Sequence, residues 1–426
     1  MRPAERAVLI SIVVVVAAAL RIAFVSTADV QAPLRVDAGQ YAQYAQNLVD
    51  RGVYSLSEQV EPLPDSFRSP GYPLFLAMCR LFGGEHGWYA LARWLQVLLS
   101  TVTVLVAYRL ARQVAGFWPS CAAAALVALS PHLVVSPAFV LTECLAAFVV
   151  TTALWLLASA KSVRTALLGA AVLGFAPLCN ETLVFLPLVV TVALWRRDRR
   201  RAVMVLAVAL LPLLAWNVRN QTTELARKGS ERATASISHG SYPGMVFEDP
   251  RYFGFPYRED PAQPEFGRSW SSLFEVLGPR VADEPWTYAR WYLLDKPIWL
   301  WSWPLVQGND VNVYPVGNSP YERQPVMAAT HTAMRWLHGP VMLLAAAGAL
   351  LALLRARRGG DGDAHWVRFA LGATALLGTL AYLPVIPDPR YLQPFRPVLF
   401  VLAGAALPMV FARLRHRRPE PAASPA

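Results

Sequence analysis

The chain has 426 residues, of which 55% are hydrophobic and only 16% charged. Soluble domains carry about 25% charged residues, so this composition excludes a water-soluble globule. The net charge of +11 and pI near 9.7 do not indicate nucleic acid, because the basic residues form short clusters beside apolar runs, the pattern of a topology signal and of contacts to anionic headgroups.

The first apolar run, Ala7 to Val25, follows Arg2 and Arg6. It exceeds the roughly 7–15 residues of a signal-peptide core and reads as a retained transmembrane helix. Ten spans follow from apolar length: 7–25, 89–110, 117–136, 138–160, 165–178, 181–196, 202–218, 336–354, 367–385 and 395–413. Each approaches the roughly 20 residues that cross a hydrocarbon core. Ser130-Pro131 and Ser136-Pro137 divide the 117–160 stretch into two helices with a tight turn. The span 165–178 is short enough to be re-entrant.

Lys and Arg set the expected orientation. Arg109 and Arg112, Lys161 and Arg164, Arg196 to Arg201, Arg355 to Arg358, and Arg413 to Arg418 fall on one side, the cytoplasmic one. The short loops 131–137 and 178–181 on the other side hold no Lys or Arg, and 386–391 holds only Arg390. The chain then divides into a transmembrane module 1–218 with a first outer loop 26–88, an outer cap 219–335, C-terminal helices 336–414 and a disordered tail 415–426. The cap is rich in Pro, Gly and Trp, including Trp286, Trp291, Trp299, Trp301 and Trp303. A loop of that length predicts short helices of its own. The four cysteines (Cys79, Cys121, Cys144, Cys179) show no CxxC spacing, so neither a disulfide framework nor a zinc site is indicated. His132 is expected to be a satisfied histidine near a membrane edge.

The first outer loop concentrates the chemistry. Asp37 opens a segment with apolar residues at Ala38, Tyr41, Ala42, Ala45, Leu48 and Val49, one face of a helix ended by Gly52. Such a helix would lie in the interface plane. Arg68-Ser69-Pro70-Gly71-Tyr72-Pro73 then makes a rigid turn and starts another helix. Asp37 has two readings: a helix N-cap, or a general base whose pKa is raised by desolvation at the membrane surface. Glu143 and Glu181 are acids at the outer ends of spans, and an ionisable group there is a functional candidate. Arg219 and Arg390 stand on the side where Lys and Arg are scarce, and a guanidinium there suits a phosphate.

Asp37, Tyr41, Gly52 and the Arg68–Pro73 turn, taken with Arg390-Tyr391, resemble the GT-C glycosyltransferases. The resemblance is to the protein mannosyltransferase-like and aminoarabinose transferase-like branch, glycosyltransferase family 39/83 type. It implies an all-α polytopic bundle of about ten transmembrane helices, with extracytoplasmic interfacial helices and a periplasmic cap, in the bacterial inner membrane. It implies transfer of a sugar, with inversion, from a polyprenyl-phosphate donor to a hydroxyl of a lipid, glycan or protein on the outer face. Asp37 would be the base. Arg390, Arg219 and Arg68 would hold the donor phosphate, and Glu143, Tyr41, Tyr391 and Glu181 would line the acceptor cavity. Many relatives carry two consecutive acids, whereas Ala38 follows Asp37 here. A divalent metal is therefore not required by this reading, and no other cofactor is implied. Two alternatives stand beside it: an O-antigen-type glycan polymerase or ligase, and a transporter or flippase of lipid-linked sugars.

Overall fold

A computed structural model describes residues 1–245, 256–306, 308–357 and 363–416. Two of the expectations above lie outside the described residues in whole or part: the Pro-rich tail beyond 416 and Arg358. The transmembrane part begins with α1 (Pro3–Thr27), the two-residue strand β1 (Asp29–Val30) and the helix α2 (Asp37–Arg51). It continues through α3 (Gly71–Ala111), α4 (Phe117–Leu129), α5 (Pro131–Val135), α6 (Thr142–Ser159), α7 (Val163–Cys179), α8 (Leu186–Trp195) and α9 (Arg199–Thr222). The cap holds α10 (Gly229–Gly240), α11 (Gln263–Phe266), α12 (Trp270–Asp283), α13 (Pro285–Arg290), α14 (Lys296–Leu300), β2 (Val316–Gly317) and α15 (Pro320–Arg323). Three long helices close the chain: α16 (Pro325–Arg357), α17 (Asp363–Tyr382) and α18 (Arg396–His416).

Each of the ten apolar segments is helical over most of its length. Among the described residues, five helices are long and apolar enough to cross a bilayer, six if the bent pair Phe117–Leu129 and Pro131–Ala138 counts as one span. The protein is thus a multi-pass membrane protein, although fewer segments pass that measure than apolar runs were expected. The 117–160 stretch does divide at its prolines, but with a bend of 54° inside the first half. The cap is shorter than expected, because α9 runs on to Thr222 and α16 starts at Pro325.

Two local features position the site. The helix α2 ends as anticipated: Gly52 adopts the left-handed φ of 69° and its N–H bonds to the Asn47 carbonyl. The Pro-Gly-Tyr-Pro turn starts α3, and a Cβ on Gly71 would lie 2.6 Å from the Leu178 carbonyl carbon, so only glycine lets this turn sit on the end of α7. The helix α3 then kinks at Gly84.

Buried polar side chains join the layers. Arg21 of α1 is fully buried. Its Nε donates to Ser100 Oγ at 2.7 Å, and its Nη atoms donate to the carbonyls of Ala17, Ala128 and Val127 at 3.0–3.1 Å. Pro131 breaks the helix just beyond, so the guanidinium satisfies carbonyls that the end of α4 leaves open. The cap has a second small core around Tyr242, Phe266, Leu273 and Trp291. It docks on α17 through Trp301, whose indole donates to Thr379 Oγ1 at 3.0 Å, and on the segment after α17 through Lys296, whose ammonium donates to the Leu383 and Val385 carbonyls. His132 is buried in the protein, and its Nε2 lies 2.8 Å from the Trp303 carbonyl oxygen. All four cysteines are buried and free.

Candidate active site

The carboxylate of Asp37 does not cap its helix. The N-cap position of α2 is Val36, which supplies no side-chain bond. Asp37 Oδ1 instead accepts from Arg68 Nη2 at 2.6 Å, and Oδ2 accepts from Arg390 Nη2 at 2.8 Å. Arg390 Nε lies 2.8 Å from Glu143 Oε1, an ionic contact whose N–H is not aligned as a hydrogen bond. Arg68 also donates to Gln40 Oε1, from Nε at 2.7 Å, and its guanidinium sits over the Tyr41 ring at 5.3 Å. Residues from α2, the first-loop turn, α6 and the segment before α18 thus form one chain of alternating base and acid: Arg68, Asp37, Arg390, Glu143.

Local structure explains the aim of these groups. Arg390 lies in a 3₁₀ segment, Pro389–Phe395, that is capped by Asp388, whose Oδ1 accepts from the Arg390 amide at 2.9 Å. Pro387 and Pro389 flank the cap and stiffen the approach. The ring of Tyr391 stacks on Tyr382 at 5.0 Å. The Tyr382 hydroxyl meets Asn180 and Thr182 at 3.2 and 2.6 Å, so Asn180 helps build the wall.

Electrostatics correct one expectation. Burial raises the pKa of Asp37, as the sequence argument supposed. The Coulombic pull of Arg390 and Arg68 and their hydrogen bonds outweigh it and hold the carboxyl well below the usual range. In this state Asp37 is ionised and a weak base.

The chain of charges forms the floor of a cavity of about 940 Å³. Asp37, Tyr41, Arg68, Glu143, Glu181, Arg390 and Tyr391 all line it. Arg219 does not. Its Nη1 donates to the Asp65 carbonyl at 2.7 Å and to Asn220 Oδ1 at 2.9 Å, and its guanidinium packs on Trp216 at 4.9 Å. It ties the first loop to α9. The basic group on this side of the cavity is Arg232 of α10, paired with Glu181 and donating to the Phe67 carbonyl at 3.1 Å. Lys228 lines the cavity beside it. Neither was singled out from sequence, since nothing in a long polar loop marks which residue folds back over the bundle. Among the described residues no group of three or more His, Cys, Asp or Glu is placed to hold a metal. The two acids at the floor, Asp37 and Glu143, are both held by Arg390.

Comparison with known proteins agrees with this architecture. Residues 68–218 match the family described as dolichyl-phosphate-mannose-protein mannosyltransferase. No curated protein matches. The archaeal oligosaccharyltransferase AglB from Archaeoglobus fulgidus, solved with an inhibitory peptide and a dolichol-phosphate, is similar with a TM-score of 0.52 at 14% identity, covering 97% of this chain and 51% of that one. The apo form of the A. fulgidus enzyme gives 0.52 at 15%, covering 98% and 52%. ArnT from Cupriavidus metallidurans, bound to undecaprenyl phosphate, gives 0.47 at 14%, covering 97% and 62%. The chain therefore spans about half the length of the AglB structures. Its fold is similar to that of the AglB structures, and its residues 68–218 carry the match to the dolichyl-phosphate-mannose-protein mannosyltransferase family.

Proposed function

We propose that this protein is a glycosyltransferase that moves a sugar from a polyprenyl-phosphate donor to a hydroxyl acceptor, with inversion and with Asp37 as the base. The observation that carries the reading is the clamping of Asp37 between Arg68 and Arg390 at the floor of a large cavity. The cavity lies at the ends of the spans opposite the Arg-rich loops, which the positive-inside tendency assigns to the outer face. The inner membrane of a bacterium is the proposed location. AglB, of like fold, was solved with a dolichol-phosphate, which supports a lipid-phosphate donor here.

The reaction follows from the charges. The donor phosphate is drawn to Arg390 and Arg68, with Arg232 and Lys228 adding positive charge on the cap side. The phosphate competes with Asp37 for the guanidiniums, so the carboxylate loses its partners and becomes more basic as the donor arrives. The acceptor oxygen attacks the anomeric carbon and its proton passes to Asp37. The bond between that carbon and the phosphate oxygen breaks, and the electron pair leaves with the lipid phosphate, stabilised by the arginines. Glu143 holds the other edge of Arg390 and fixes its aim. No metal enters these steps. The acceptor is a lipid, a glycan or a protein hydroxyl.

Purified protein in detergent, given polyprenyl-phosphate-linked sugars, should release lipid phosphate and glycosylate an added acceptor. Asp37→Asn should lower turnover by about 10²–10⁴-fold while donor binding survives. Near-normal turnover in that variant would remove Asp37 from the role of base.

A further inference from the structure

A second residue governs where Asp37 points. Val36, immediately before it, adopts φ 49° and ψ −118°. A β-branched residue at positive φ is a genuine outlier, strained by about 1–3 kcal/mol, and persists only where surrounding structure imposes it. The imposing structure comes from the far end of the chain. Tyr314, in the cap segment between α14 and β2, is 5% exposed. Its hydroxyl donates to the Arg35 carbonyl at 3.1 Å, the same oxygen that accepts from the Ala38 amide at 3.2 Å across Val36 and Asp37. Its ring lies under the Arg35 guanidinium at 4.6 Å and meets Phe139 edge-on at 5.8 Å. Just ahead, β1 pairs with β2 in the register Val30 to Val316, and the Gln31 amide bonds to the Pro315 carbonyl at 3.0 Å. The strands anchor the loop on one side of Tyr314, and the bond between Trp303 Nε1 and Asp310 Oδ1 at 2.7 Å anchors it on the other.

We infer that Tyr314 is the positioning residue for Asp37: it holds Val36 in its strained conformation and so aims the carboxylate at the reacting centre. The inference rests on the reading of Asp37 proposed above. It concerns geometry only, since the phenol is placed to touch backbone and not the carboxylate.

The test is Tyr314→Phe, which keeps the ring over Arg35 and removes only the hydrogen bond to the Arg35 carbonyl. Hydrogen exchange of the peptide spanning residues 32–44 should quicken. Turnover should fall by at least about tenfold, the size of a misplacement effect, with the donor KM unchanged because Arg68 and Arg390 are untouched. Adding Val36→Gly, which adopts positive φ without strain, should recover part of the loss in kcat. Unchanged exchange, or unchanged kcat, overturns the inference. So does a loss that Val36→Gly fails to relieve, because a general folding defect would not respond to that one backbone angle. If wild type is inactive toward every donor, the glycosyltransferase reading falls, and the exchange comparison alone decides whether Tyr314 sets this segment.

Discussion

Asp37 Oδ2 and Arg390 Nη2 lie 2.8 Å apart although 353 residues separate them in sequence. One belongs to the first loop and the other to the segment that leads into the last helix. Their contact places the candidate base against a guanidinium that a phosphate would also seek, and this double use of Arg390 shapes the expected pH behaviour.

The Asp37 carboxyl is held below its ordinary range, so its ion pairs contribute stability that is present above the unfolded value of about 3.9 and lost as pH falls through the folded value. The free enzyme should therefore keep its base ionised throughout the ordinary carboxylate range, and kcat/KM should show its acid limb below that range. Donor phosphate withdraws the guanidiniums, so the acid limb of kcat should lie at higher pH than that of kcat/KM. Arg68→Gln removes one partner and should move the kcat/KM limb upward. A limb in Arg68→Gln that stays where wild type has it would break the link between this ion pair and the base.

The two arginines singled out from sequence should respond differently. Arg390→Ala should raise the donor KM by tenfold or more, at roughly 1.4 kcal/mol per decade, with a smaller effect on the acceptor. Arg219→Ala should leave the donor KM near wild type and instead lower thermal stability by about 1–3 kcal/mol, because it strips charged hydrogen bonds from the Asp65 carbonyl and Asn220. Steady-state kinetics beside a thermal melt in detergent separates the two. A donor defect in Arg219→Ala matching that of Arg390→Ala would return Arg219 to the phosphate site.

The cap bears on the site through Gly240. A Cβ there would lie 2.3 Å from the Val385 backbone carbon, in the stretch that leads to Arg390. Gly240→Ala must push the cap and that stretch apart, at a cost of about 1–3 kcal/mol by analogy with overpacked cores. The expected result is a lower melting temperature together with a higher donor KM. Wild-type values for both would show that the 383–388 segment is free of the cap.

Arg21 offers a test away from the chemistry. Arg21→Met should lose on the order of 3 kcal/mol, because the carbonyls of Val127 and Ala128 lose their donors in a buried setting. Thermal unfolding in detergent reads this directly. The variant should retain the donor KM of wild type, since Arg21 lines none of the main cavity.

What the sequence by itself determined is whatever depends on local pattern. Apolar length located the helical segments, because crossing a hydrocarbon layer demands about 20 apolar residues whatever the neighbours are. The spacing from Ala38 to Val49 with Gly52 behind it marked α2, and Pro70 to Pro73 marked the start of α3, because capping and turn chemistry act within a few residues. Asp37 stood out as the acid that opens α2 in the first outer loop, Glu143 as an acid at the end of a span, and Arg390 as a basic residue on the side where Lys and Arg are scarce. Tertiary structure decided what those charges do. It turned Asp37 from a possible cap into an ion-paired carboxylate, and reversed the expected direction of its pKa, because two guanidiniums distant in sequence outweigh desolvation. It spent Arg219 on backbone carbonyls and brought Arg232 and Tyr314 to the first loop. None of these is visible in sequence, since the partners are separated by whole transmembrane helices and the contact energy depends on distances of a few ångströms that only packing sets.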